Sequence, residues 1–401
     1  MLTEQEALAR ILATIHPLPA QRLSLMEAHQ QFAAKMLHAA IPLPGFDNSA
    51  MDGYAVRAAD TVSAEPLRIA AEQPAGLSRR LTLEPHTAIR IFTGAPMPEG
   101  ADAVIMQEDV TVDATRQTIV CKEPVEHGEN VRLAGCDLCM GQSIIQRGDP
   151  LTSARLGLLA TQGLSEVETV RRPRVAIITT GDELVASGQP LEAGQVYNSN
   201  GIMLQGLLRQ VGIEQITVQH VPDDLARTTE ALRQVTREHE VVILSGGVSV
   251  GDHDYVKPAL LGLGVKPDFW RVHIKPGKPL LFVPVPREDG SIGYLFGLPG
   301  NPVSAYVTFL LFVRPALLKL MGASDSYLSL PQVRGELTLP QQNKGDRPHY
   351  IRGYYHDGKF TPQGLQQSHA IFSLAKANAL VRLEPFAEMN AGDAVSVLLG
   401  E

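Results

Sequence analysis

The sequence predicts a multi-domain α/β plus β protein: a doubly wound, mostly parallel α/β domain preceded by a helical N-terminal part and a small β-rich domain and followed by a C-terminal β-barrel-like domain. Three observations carry this. A chain of 401 residues is too long for one ordinary core. Between residues 173 and 323, short apolar runs alternate with helically spaced segments, as in strands buried on both faces and joined by crossover helices. Over 67–120, and again beyond 324, short alternating runs separated by Pro and Gly read as smaller β-rich parts.

Composition narrows the function classes. A hydrophobic content of 44% suits a globular protein, and a net charge of −8 without a long basic run excludes nucleic acid and anionic membrane as main partners. An anionic ligand must then be held by local groups. The first residues lack the basic start and apolar core of a secretory signal. The most apolar stretch, 303–321, is interrupted by Arg314 and Pro315 and reads as a buried helix rather than a membrane span. Three cysteines cannot form a disulfide framework, so a reducing, cytoplasmic setting is expected. Cys136 and Cys139 form a CxxC with no second pair, which leaves them without an assigned zinc or redox role.

In chain order, Thr3 and Glu6 have capping-box spacing, and Leu8, Ile11, Leu12 and Ile15 recur on one face, predicting an opening helix. A second helix is expected over about 24–37, ended by Pro42, Pro44 and Gly45. FDNSAMDGYAV follows, a tight turn with Asp47, Asn48 and Asp52 available as polar or metal-binding groups. IFTGAPMPEGADAV places Thr93 and Gly94 at a strand end, and GENVRLAGCDL brings Arg132 near Asp137. Helical spacing returns over 142–170. Beyond Pro173 come VAIITT, a helix around Leu204 and Leu208, ITVQHV, a helix around Leu225 and Leu232, and then VVIL.

Ligands of such sheets bind beyond the carboxyl ends of the strands. The loops there are TGDE, VPDD and SGGVSVGDHD, each with a carboxylate. Ser245, Gly246, Gly247 and Gly251 offer close backbone N–H groups to an anion, and Asp252 and Asp254 can hold a hard cation, which suits a phosphorylated ligand arriving with Mg²⁺. Gly246 and Gly251 have P-loop spacing without the Lys and Ser/Thr of that motif. The run from Gly247 to Gly251 also spells GxSxG, so a serine hydrolase using Ser249 remains a competing reading, although Asp252, His253 and Asp254 favour a loop where the elbow needs a helix. FWRVHIKPGKP then concentrates Arg271, Lys275 and Lys278 in a Pro/Gly-restricted loop fit for an oxyanion. GLPGNPVSA leads into the apolar helix, whose N-terminus is a second anion site.

PGFDNSAMDGYAV, IFTGAPMPEGADAV, TTGDEL, SGGVSVGDHDY, IKPGKP and GLPGNPVSA, in this order, resemble the molybdopterin molybdenumtransferases, the family of MoeA and the gephyrin E domain. The resemblance implies a helical domain of 1–40 and 142–172, an inserted β-domain of 41–141, an α/β domain of 173–323 and a C-terminal β-domain of 324–401. It implies a homodimer whose active site combines the α/β domain of one subunit with N-terminal domains of the other. The implied reaction inserts molybdate into adenylylated molybdopterin with Mg²⁺-dependent release of AMP, the pterin being supplied by an upstream molybdopterin adenylyltransferase. By motif, Asp182, Glu183, Asp223 and Asp254 would arrange Mg²⁺ and pyrophosphate, with Glu183, Asp223 and Asp254 as metal ligands. Ser245, Gly246, Gly247 and Ser249 would cradle phosphate. Arg271, Lys275 and Lys278, with Pro299 and Pro302, would form the molybdate side. Asp52, Thr93 and Asp137 would come from the partner subunit, and short C-terminal matches add Arg352 and Ser373. A non-catalytic scaffold of the same fold is the other alternative, disfavoured by the intact acidic and basic loops.

Overall fold

The computed structural model describes residues 1–76, 80–247 and 255–400. Ser249 and Asp254 of the central loop, with Gly251 and Asp252, therefore lie outside the described residues. The chain forms two compact units, one of residues 1–35, 147–157 and 165–401, the other of 36–146 and 158–164.

The first unit is organised by a six-stranded sheet. Its strands are β1 (Val175–Thr180), β2 (Ile216–Val221), β3 (Val241–Ser245), β4 (Phe269–Arg271), β5 (Pro279–Pro286) and β6 (Ile292–Leu298), in spatial order β2-β1-β3-β6-β5-β4. The first four are mutually parallel, and β5 and β4 add an antiparallel edge. Side chains alternate across the sheet as the strand period requires. Val175, Ile177, Val241 and Ile243 enter one core, whereas Ala176, Ile178, Val242 and Leu244 enter another. The first core is closed by helix α1 (Ser199–Gln210), through Leu204, Leu207 and Leu208. The second is closed by α2 (Leu225–Glu238) and α3 (Val256–Gly262), through Leu232, Val235 and Leu260. Helices on both faces of a largely parallel sheet make the fold doubly wound, as expected.

The apolar stretch forms a helix over Pro302–Leu320, long and apolar enough to cross a bilayer, but 83% of its most apolar window is buried inside the protein. Val303, Phe309, Phe312 and Leu317 belong to the first core. The helix loosens to a π turn at Phe309–Val313. Pro315, just beyond, has no N–H and its ring crowds the preceding turn, a recognised cause of such a register change. After it, Gln332–Leu337, His349–His356, Lys359–Pro362, Ala379–Leu383 and Ala394–Leu399 close a barrel around Leu337, Ile351, Phe360, Val381 and Val397.

Helical expectations near the N-terminus are only partly met. The capping box at Thr3 and Glu6 does start a helix over Glu4–Thr14. No helix occupies 24–37: Ala20–Ser24 is a strand paired antiparallel with Glu166–Val170, followed by turns. Glu27 accepts hydrogen bonds from the Ser24 N–H and hydroxyl, and Gln30 sits at φ +61°, so the backbone turns where helical spacing suggested continuity. Ala28, Phe32 and Ala33 are buried all the same. Over 142–170, helix is confined to Ser153–Thr161.

The second unit is β-rich. Its six-stranded sheet runs Ala103–Met106, Gly53–Val56, Thr87–Ile91, Leu67–Gln73, Thr118–Cys121, Val110–Asp113 in spatial order. Gly53 has backbone against it: a Cβ there would land on the Ile105 carbonyl.

Candidate active site

Four loops leave the carboxyl ends of the parallel strands and meet. β1 ends at Thr180 and is followed by Gly181, Asp182 and Glu183; β2 is followed by Pro222, Asp223 and Asp224. The Asp223 N–H donates to the Asp182 carboxylate at 3.0 Å, which locks the first two loops together. β3 ends at the buried Ser245, and β6 leads through Pro299, Gly300 and Asn301 into the Pro302–Leu320 helix. Asn200, in the first turn of α1, joins that pair: its amide donates to the Ser245 hydroxyl at 2.8 Å and to the Gly300 carbonyl at 2.7 Å. Gly246 and Gly247 take φ of +96° and +62°, and added Cβ atoms would lie within 2.9 Å of Thr180. These glycines fit because the loop packs directly on Thr180, against its carbonyl and hydroxyl at Gly246 and its hydroxyl at Gly247.

The facing wall is the Lys275–Lys278 loop. The Lys275 N–H donates to the Pro348 carbonyl and the Tyr350 N–H to the Lys275 carbonyl, both at 2.8 Å, so this loop is fastened to the barrel strand His349–His356. Gly277, at φ +107°, has Thr308 Cγ2 only 2.5 Å from where a Cβ would stand. Between the walls is a cavity of about 1310 Å³. Glu183 and Asp223 line it along with Gly246 and Gly247, and Lys275, Lys278 and Arg347 line it from the loop and barrel. Carboxylates thus come from the strand ends and cations from the opposite wall.

Several buried polar atoms around the cavity have no hydrogen-bond partner among the described residues: Thr180 Oγ1, Asn200 Oδ1 and both ring nitrogens of His349. Native proteins rarely leave such atoms unmet away from a ligand site. Burial, with Lys275, Arg352 and Arg347 adding positive charge, pushes the His349 imidazole down to about 4, so it is neutral at neutral pH.

Of the residues expected from sequence, Glu183, Asp223, Ser245, Gly246, Gly247, Lys275, Lys278, Pro299 and Pro302 line this cavity. Asp182 acts one step behind, through Asp223. Arg271 lines a separate cleft with Arg10 and Asp268. Arg352 is not at the cavity surface either. It is fully buried and donates to the carbonyls of Leu365 at 2.5 Å and Gln367 at 3.3 Å, while Gln366 bonds its backbone on both sides. Ser373 is also buried and accepts from the Leu365 N–H at 3.0 Å. Both hold the segment that presents Gln366, Gln367, Ser368 and His369 to the cavity. In the other unit, Asp52 accepts from the Thr93 N–H at 2.8 Å and hydroxyl at 2.9 Å, bonds that hold its carboxyl below the usual range. Asp137 is exposed there, its N–H given to the Leu43 carbonyl.

Sequence reasoning passed over Asn200, Arg347 and His349. The NSN before α1 was a usable signal, since Asn198 caps that helix by accepting from the Gly201 N–H at 3.0 Å. Arg347 and His349 sit in a barrel segment with no motif around them. Among the described residues no group of three His, Cys, Asp or Glu gathers as a metal site. Glu183 and Asp223 are nonetheless hard oxygen donors on one cavity, which suits Mg²⁺, an ion that takes few protein ligands and fills its octahedron with water and phosphate oxygens.

Fold and site together define a protein built on a molybdopterin-binding α/β domain. Residues 176–319 match the family model described as a probable molybdopterin binding domain, residues 2–163 the MoeA N-terminal region (domain I and II), and residues 334–399 the MoeA C-terminal region (domain IV). The chain is 37% identical to a molybdopterin molybdenumtransferase of Haemophilus influenzae over 99% of its own length and 98% of the relative's. It is 38% identical to one of Nostoc over 94% and 88%. A crystal structure of the molybdopterin biosynthesis moeA protein of Pyrococcus horikoshii superposes with a TM-score of 0.85 at 28% identity, covering all of both chains. The chain belongs to the molybdopterin molybdenumtransferase family, transferases of molybdenum cofactor biosynthesis. That membership accounts for the GxSxG without a hydrolase elbow, and Ser249 itself lies outside the described residues.

Proposed function

We propose that this cavity inserts molybdate into adenylylated molybdopterin and releases AMP with the help of Mg²⁺. The observation that carries the reading is the separation of charge across one cavity, with Glu183 and Asp223 at the strand ends and Lys275, Lys278 and Arg347 opposite. Gly247 offers its N–H to the pyrophosphate, and Gly246, whose own N–H donates to the Leu298 carbonyl at 3.3 Å, keeps the approach clear of a side chain. Bound Mg²⁺ would supply charge neutralisation at the pyrophosphate, held by Glu183 and Asp223 with Asp254. The two lysines and Arg347 hold the molybdate dianion beside the dithiolene, the arginine able to bind in forked geometry. Asp182 keeps the metal side in register through the Asp223 backbone.

In this reading the protein works as a cytoplasmic homodimer, with Asp52, Thr93 and Asp137 of one subunit completing the site of the other. An upstream molybdopterin adenylyltransferase supplies the pterin. The test is an assay with purified protein, adenylylated molybdopterin, Mg²⁺ and molybdate, following AMP release and cofactor formation together. AMP release that depends on molybdate, and its loss in Asp254→Ala with the fold intact, are the expected results. Pterin binding without AMP release would instead favour the scaffold of the same fold.

A further inference from the structure

His349 begins the barrel strand His349–His356, pairs in register with Leu383 and bridges to Lys275. Its side chain is only 6% exposed, yet it borders the cavity, and neither ring nitrogen has a partner among the described residues. The charged groups that act on it are Lys275, Arg347 and Arg352. All three are donors only: a lysine ammonium has no lone pair and a guanidinium does not deprotonate. Arg347 is turned to the Ile274 carbonyl and Arg352 to those of Leu365 and Gln367. The neutral imidazole therefore adds to this cationic corner what the cations lack, one lone pair beside one N–H. Among the described residues the other histidine on the cavity, His369, is exposed.

Metal insertion needs such a group. A molybdate dianion and a dithiol give a dianionic trioxo dithiolene complex and one water: two Mo–S bonds form, one Mo–O bond breaks, and both S–H protons end on the departing oxygen. No electron changes hands. Lys275, Lys278 and Arg347 can hold the anion, but none of them moves a proton from sulfur to oxygen at neutral pH. We propose that His349 is the proton relay of molybdenum insertion, accepting a thiol proton at one ring nitrogen while the other delivers a proton to the oxygen that leaves as water. The proposal rests on the reading above, in which molybdate and dithiolene meet at the Lys275–Lys278 wall.

The experiment titrates molybdate at saturating adenylylated pterin and Mg²⁺ for wild type, H349Q and H349A, with circular dichroism and melting curves to establish folding. Glutamine keeps a donor and an acceptor but cannot pass a proton through a ring. The expected result for H349Q is a fall in kcat of at least about 100-fold, the lower end of the range for general acid–base catalysis, with KM for molybdate unchanged. Added imidazole is expected to restore turnover to H349A and not to H349Q. Wild-type kcat in folded H349Q, a loss confined to KM, or no imidazole rescue of folded H349A would each overturn the relay; if H349A does not fold, H349Q decides alone. Should the wild type show no molybdate-dependent AMP release, the reaction assignment falls and the relay with it. A normal wild type beside an unimpaired H349Q removes only the relay.

Discussion

At the amino edge of the central sheet, Glu240 lies immediately before β3 and has every lone pair engaged. It accepts from Arg171 at 3.0 Å, from the Arg174 side chain at 2.9 Å and N–H at 2.8 Å, and from Arg287 at 3.4 Å. At the carboxyl edge, Thr180, Asn200 and His349 keep buried polar atoms with no partner among the described residues. One sheet thus carries a closed polar cluster at one end and an unfinished one at the other. Burial alone would raise the Glu240 carboxyl, but the arginine hydrogen bonds more than offset it and hold it down to about 2. The contrast separates two tasks: the amino edge stabilises the fold, and the carboxyl edge leaves bonds for a ligand to make.

The largest expected effect is at the closed end. Glu240→Ala strands three arginines together and should cost about 3–5 kcal/mol, read from the midpoint of chemical denaturation. Turnover at temperatures where the variant is folded should be unchanged; a loss of turnover would break the division of tasks. The cluster also sets an acid limit. The folded pKa of Glu240 is about 2 against an ordinary 4.5, so its stabilisation is complete above 4.5 and disappears as pH falls towards 2, amounting to about 3 kcal/mol at 1.36 kcal/mol per pKa unit.

Next comes Gly277→Ala, which combines a positive φ with an overlap on Thr308. A cost of about 1–3 kcal/mol is expected from the strained backbone, and a fall in kcat/KM of about 10- to 100-fold because Lys275 and Lys278 are displaced. Normal activity would mean that the loop is not a precise wall.

A smaller and opposite effect is expected at the open end. His349→Leu removes two unmet polar atoms and should raise stability by about 1 kcal/mol while activity falls. It should also flatten the acid slope. The folded imidazole, at about 4, titrates below its ordinary 6.5, so the unfolded chain takes up its proton first and wild-type stability declines as pH drops from 6.5 through 4. Equal slopes in wild type and variant would contradict the buried, neutral assignment. Smallest of all, Arg271→Ala should leave kcat/KM for molybdate unchanged, because Arg271 lies in a cleft apart from the cavity.

The α/β domain was readable from sequence because its signals are local. Continuous apolar runs gave β1 and β3, period-3.6 runs gave α1 and α2, and the glycines at 246 and 247 stand where the loop packs on Thr180. Helix over 24–37 failed for a tertiary reason: Ala28, Phe32 and Ala33 are buried through strand pairing and turns, which apolar spacing alone does not distinguish from a helix. Arg271 and Arg352 were assigned by charge and motif, but charge does not reveal direction. Arg352 turns inward to carbonyls, and Arg271, on the edge strand β4, lines a separate cleft. His349 carried no signal, since its role depends on a strand register between residues more than a hundred positions from the glycine loop.

The fastening of Lys275 to the barrel has an evolutionary corollary. On the proposed function, the wall that would hold the oxyanion is shared by a loop and by a module with its own hydrophobic core, whereas the loops proposed to face the nucleotide belong wholly to the α/β domain. Drift inside the barrel can therefore retune the choice of metal oxyanion without disturbing the grip on phosphate. Exchanging barrels between relatives is then the natural graft for redirecting such an enzyme from molybdate to tungstate.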